Sequence, residues 1–256
     1  MLNPPSNPAL FDYLLGLADN ALVLSQRLSE WCGKGPALEE DMALTNVALD
    51  LIGQSRFWFE YAGQLDSDKR DEDALAFRRD AAQFRNVLLV EQPNGTYADT
   101  LARQFYFDSW HYLLLQKLCV STDARIAAIA DKSLKEVAYH VRRSADLVVR
   151  LGDGSEVSHR MMQAAFDKLW SYTGEMFRPS AVEQAMAGKG VGPDLATLRQ
   201  PWLDHVAAVF ARATLTLPSP DAWMQKGGKQ GVHSEHLGYL LAEMQFLQRA
   251  YPDAVW

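Results

Sequence analysis

Asp108-Ser-Trp-His111 and Glu136-Val-Ala-Tyr-His140 put carboxylates and imidazoles on two long helical stretches, the residue types of a carboxylate-bridged di-iron site. Such a site takes one Glu from each of two helices and a Glu-x-x-His from each of two others, because residues i and i+3 share a helix face and converge on one metal pair. Here the set is incomplete. His140 lies four residues after Glu136, and Val137 stands where its carboxylate partner should be. Asp108 has the spacing to His111, but its side chain is shorter than that of Glu. On the helices before them, Asp19 and Gln26 are weak substitutes for a bridging Glu, and the run Asp50-Leu-Ile-Gly53 has glycine where a histidine is needed. These residues are read as degenerate metal positions, expected to face inward and satisfy one another or the backbone.

Other groups carry weaker signals. Glu156-Val-Ser-His159 has the formal spacing but opens a helix after a glycine turn, where solvated capping is expected. His233 and His236 flank Glu235 at the entry to the last helix. Lys226 and Lys229 sit in the flexible Gln225-Lys-Gly-Gly-Lys-Gln-Gly231 segment. Together they are candidates for docking or for contacting an anion. No phosphate-binding loop, nucleophile elbow or Cys-x-x-Cys motif occurs.

The elements that must position these residues are helical. Apolar residues recur at spacings of three and four over 11–31, 38–64, 99–118, 123–151, 155–177, 195–217 and 234–251. Shorter helices fall within 74–90 and 182–187, and Pro218-Ser-Pro220 closes the run before the polar loop. This periodicity predicts an all-α bundle, with residues 1–256 as a single domain and extra helices at the C-terminus. Two cysteines, Cys32 and Cys119, give no disulfide framework, and the start Met-Leu-Asn-Pro-Pro-Ser-Asn-Pro reads against a signal peptide. No apolar run of about 18 residues spans a membrane, and the net charge of -7 reads against nucleic acid. A cytoplasmic protein is expected.

Five longer motifs occur in order: Leu24-Ser-Gln-Arg-Leu-Ser-Glu-Trp-Cys-Gly33, Leu49-Asp-Leu-Ile-Gly-Gln-Ser-Arg56, Leu89-Val-Glu-Gln-Pro-Asn-Gly95, Lys135-Glu-Val-Ala-Tyr-His140 and Gly231-Val-His-Ser-Glu-His-Leu-Gly238. On these the chain resembles the PaaC family, the non-catalytic ferritin-like subunits of bacterial ring-1,2-phenylacetyl-CoA epoxidases. The resemblance implies a ferritin-like fold, no cofactor in this chain, and a homologous catalytic subunit that holds the di-iron centre. It also implies small subunits and a reductase with FAD and an iron-sulfur centre. The competing expectation is an active di-iron oxygenase or metal-binding bundle, which requires Asp19, Asp50, Asp108, Glu136 and His140 to converge. A general helical scaffold is the third.

Overall fold

The computed structural model describes residues 3–219, 221–252 and 254. Pro220 of the predicted helix stop, and Met1 and Leu2 of the N-terminal stretch, lie outside them. Among the described residues the regular structure is helical, with no β-strand. The chain forms two compact units: unit 1 comprises Met1–Gln92 and Gly227–Trp256, and unit 2 comprises Pro93–Lys226.

Unit 1 begins with α1 (Pro8–Ser29). Asn7 caps it by accepting from Leu10 N at 3.3 Å, and Pro8 suits the first turn, where an N–H would have no intrahelical acceptor. Gly33, at φ 78°, takes the left-handed conformation that turns the chain toward α2 (Leu38–Leu65). Ser6 N donates to Leu65 O at 2.9 Å, so α2 runs antiparallel to α1. On α2, Leu44, Ala48, Leu51, Ser55, Trp58 and Ala62 alternate spacings of four and three and are all buried. That spacing keeps one seam facing the partner helix. A short α3 (Glu72–Phe77) and a 3-10 turn at Ala81–Gln83 lead into irregular chain to Gln92.

Unit 2 is built on α4 (Tyr97–Leu118) and α5 (Ala124–Gly152). The sequence reading opens α4 at Asp99, whereas the structure opens it two residues earlier. Thr96 is the cap, and Asp99 reaches back to Thr96 N at 2.8 Å in a capping box. Asp123 caps α5 by accepting from Arg125 N and Ile126 N at 3.0 and 3.1 Å. α6 (Glu156–Trp170) stops seven residues short of the predicted Phe177. The remainder forms a 3-10 turn at Gly174–Phe177, where a Cβ on Gly174 would lie 2.5 Å from Met224 Cγ. After α7 (Ala181–Gly188), the predicted 195–217 helix resolves into a 3-10 turn at Leu195–Leu198 and α8 (Arg199–Arg212). Pro201 is accommodated in the first turn of α8, where no intrahelical donor is required.

The core of unit 2 is aromatic. Tyr106 meets Phe166, Trp202 and Trp170 at centroid distances of 5.0, 5.5 and 5.8 Å, and Phe166 lies 4.6 Å from Phe210. Edge-on and tilted pairs of this kind add to the burial of large apolar areas. The chain then returns to unit 1 with α9 (Glu235–Met244) and α10 (Phe246–Ala250). The single final helix expected from the sequence is interrupted at Gln245, whose buried amide donates to Ala76 O and Arg79 O at 3.1 Å each. Because Asp123 satisfies two first-turn amides of α5, Asp123→Ala should cost about 1 kcal/mol. Urea denaturation followed by circular dichroism checks this, and an unchanged midpoint would count against it.

Candidate functional site

In unit 1, α1 delivers Asp19 into the core with no exposed surface. A buried carboxylate needs a cation or strong donors, and here the cation is a guanidinium. Arg79 faces both carboxylate oxygens: Nη1 donates to Oδ2 at 3.1 Å, and Nη2 pairs with Oδ1. Arg85 N adds a donation to Oδ2 at 2.8 Å. The Arg79 guanidinium lies 4.2 Å over the Phe84 ring and 5.3 Å from that of Phe59, and Nη1 also donates to Gln83 O at 3.0 Å. Its planar fork therefore fills, in charge and in geometry, the place a metal would need beside Asp19. Gln26 on α1 and Asp50 on α2 are half-buried.

A second buried carboxylate in unit 1 was not among the sequence candidates. Glu91 is fully buried: Oε2 accepts from His233 Nδ1 at 2.8 Å and Asn86 Nδ2 at 3.0 Å, and Oε1 accepts from Ser234 N at 2.6 Å. His233 Nε2 faces Phe84 O at 3.1 Å. Both ring nitrogens thus face protein acceptors, and the side chain is only 4% exposed. Arg27 reinforces the join, with Nη2 donating to Glu91 O at 2.9 Å and His236 O at 3.2 Å. The four anion candidates divide accordingly. Lys226 is exposed at the end of unit 2, Lys229 and His236 are half-buried in unit 1, and His233 is turned into the protein.

In unit 2, α4 and α5 bury Asp108, His111 and His140, while Glu136 is half-buried. Gln104 Nε2, one turn before Asp108, donates to Oδ1 at 2.6 Å. Burial pushes the Asp108 carboxyl up to about 6, with the charge of His140 opposing the rise. Burial, aided by His140, pushes His111 down to about 3. The His111 ring packs 5.1 Å from Phe107 and 6.4 Å from Trp110, an apolar setting that suits a neutral imidazole. The other Glu-x-x-His pair is superficial: Glu156 points to Arg160 at 3.8 Å, and His159 Nδ1 meets Gly152 O at 2.7 Å.

Among the described residues no three His, Cys, Asp or Glu side chains come together in a way that could hold a metal ion. The side chains present do not fit a di-iron centre. Asp19 is committed to Arg79, Asp108 to Gln104 and a raised pKa, and His140 has Val137, not a carboxylate, three residues before it.

The helices define an all-α, ferritin-like bundle. The chain belongs to the family described as phenylacetic acid catabolic protein, matched over residues 2–256. It is 50% identical over 244 residues to the C subunit of the 1,2-phenylacetyl-CoA epoxidase of Escherichia coli (strain K12), covering 95% of this chain and 98% of that protein. It is 20% identical over 196 residues to the A subunit of the same organism's 1,2-phenylacetyl-CoA epoxidase, covering 75% of this chain and 62% of that one.

Arg79 was missed because its partner lies 60 residues away. The available signal was the need of any buried Asp on an apolar helix for a cation. Removing only the cation, Arg79→Leu, should destabilise by about 3–5 kcal/mol, and the double change Asp19→Leu with Arg79→Leu should recover much of that loss. Urea unfolding of the set checks this, and additive losses would contradict it.

The unit 2 pair generates a pH prediction. Asp108 has a raised folded pKa, so its contribution is full below pH 3.8 and is lost as pH rises to about 6. His111 has a lowered folded pKa, so its contribution is full above pH 6.5 and is lost as pH falls toward about 3. Between about pH 4 and 6 the two slopes oppose each other, each amounting to one proton or about 1.4 kcal/mol per pH unit. Relative to the unaltered chain, Asp108→Asn should gain stability with rising pH across this window, and His111→Leu should lose it. Parallel curves for all three proteins would refute the assignment.

Proposed function

We propose that this chain is the non-catalytic structural subunit of a multicomponent phenylacetyl-CoA 1,2-epoxidase, supporting a homologous di-iron catalytic subunit in aerobic phenylacetate degradation. Identity of 50% along almost the whole length of the C subunit of such an epoxidase carries the reading. The chemistry of the former ligand positions supports it, since a guanidinium holds Asp19 and no metal-holding cluster occurs among the described residues. The more distant likeness to the A subunit supports a pairing of related bundles.

In this role residues 1–256 act as a single ferritin-like domain. The chain itself binds no cofactor: the di-iron centre belongs to the catalytic partner, and FAD and the iron-sulfur centre belong to the reductase partner. Small subunits complete the assembly. Lys226 and Lys229 are the residues assigned to contact the polar coenzyme A portion, since lysines suit anionic groups. No described helix is long and apolar enough to cross a membrane, and both cysteines are free. We assign the protein to the cytoplasm.

The reading is tested by co-expression with the homologous catalytic partner. One co-eluting complex is expected, with iron retained by the partner and none held tightly by this chain alone. Replacing buried His140 with Ala should lower the melting temperature more than it lowers turnover per intact complex. Persistent separation of the two chains at micromolar concentration, or two tightly bound irons per isolated chain, would defeat the proposal.

A further inference from the structure

In unit 2 a cavity of about 400 Å³ opens between the chain that follows α6, the start of α8 and residues 221–224. That volume lies toward the small end of ligand sites, which run to roughly 1,000 Å³. Its floor is aromatic: Trp202 lies 5.8 Å from Trp170 in a stacked arrangement and 5.1 Å from Phe177. The three rings are buried, and half-buried Leu203, Ala222 and Met224 form the sides. Met224 closes down on this rim because Gly174 beneath it has no side chain, a Cβ there falling 2.7 Å from that of Met224.

The polar groups of the floor are already paired. Trp170 Nε1 donates to Ser219 O at 2.8 Å, Trp202 Nε1 to Tyr106 O at 3.0 Å, and Thr173 Oγ1 to Trp170 O at 2.8 Å. Among the described lining residues, charge enters only at the rim, from Arg178, Arg199 and Asp221, all exposed. Among the described residues the Arg199 guanidinium and the Asp221 carboxylate make no ion pair or hydrogen bond, with each other or with a neighbour. An open Arg and an open Asp on one rim select a ligand by elimination. A plain aryl carboxylate would meet Asp221 as a like charge, and an aryl amine would meet the guanidinium groups. A ligand with both charges satisfies both ends: its carboxylate takes the planar fork of Arg199, and its ammonium donates to Asp221. The aromatic floor calls for a ring on the same small molecule, because ring pairs gain beyond the area they bury.

We propose that this cavity binds a small aromatic zwitterion of the aromatic α-amino acid class, with Arg199 on its carboxylate and Asp221 on its ammonium. The site shares no residue with the buried carboxylate clusters described above, and its occupancy does not depend on assembly with a partner subunit. It stands or falls separately from the proposed function.

The probe is L-tryptophan, titrated into the full chain and followed by isothermal titration calorimetry. Its comparators are indole-3-propionate, which lacks the ammonium, and tryptamine, which lacks the carboxylate. One saturable site is expected, and each comparator should bind about fivefold more weakly, the scale of one partly solvated charge pair. Asp221→Asn should weaken L-tryptophan to the same extent and abolish its advantage over indole-3-propionate. Arg199→Gln should abolish its advantage over tryptamine. Both side chains are exposed, so the melting temperature should stay as it was. If one variant fails to fold, the other carries the test. No saturable binding at millimolar L-tryptophan, equal binding of the three compounds, or discrimination that survives the substitutions would overturn the proposal. Tighter binding of either comparator would overturn it as well, because it would make the rim a site for a single charge.

Discussion

A carboxylate inside a helix bundle must be neutralised, and that constraint governs this protein at Asp19, Glu91 and Asp108. Asp19 is answered by a guanidinium stacked on two aromatic rings, and Glu91 by an imidazole, an amide side chain and a backbone N–H. Asp108 is answered by Gln104 and by a carboxyl that keeps its proton well above the usual range. Metal ions satisfy the same demand in carboxylate-bridged bundles. This chain meets it with its own side chains at Asp19, Glu91 and Asp108.

Each substitute has a structural consequence. Arg79 reaches Asp19 from the segment after α3, so the ion pair fixes irregular chain against the long helices and orders it without regular hydrogen bonding. The Glu91 cluster does the same for the segment that returns to unit 1. His233 and Ser234 arrive immediately before α9 and bring that helix to the same polar core, where Gln245 and Arg27 add backbone contacts. The pairing of buried charge and the fastening of irregular chain form one network in unit 1. In unit 2 the fastening is mainly aromatic, around Tyr106 and Phe166, and the buried Asp108 and His111 are tolerated by shifting their protonation.

The long helices were legible in the sequence because an amphipathic period is a local property that burial enforces on every turn. The incompleteness of the Glu-x-x-His pattern was legible for the same reason: Val137 before His140 and Gly53 after Asp50 break the three-residue spacing. Helix ends were less so. Thr96 could be placed as a cap only once Asp99 was seen turning back to it, and the break at Gln245 arises from acceptors on Ala76 and Arg79, far away in sequence. The partners of the buried carboxylates were decided by tertiary structure alone. Asp19 meets Arg79 across 60 residues and Glu91 meets His233 across 142, and no local period encodes which distant side chain the fold will bring to a buried charge.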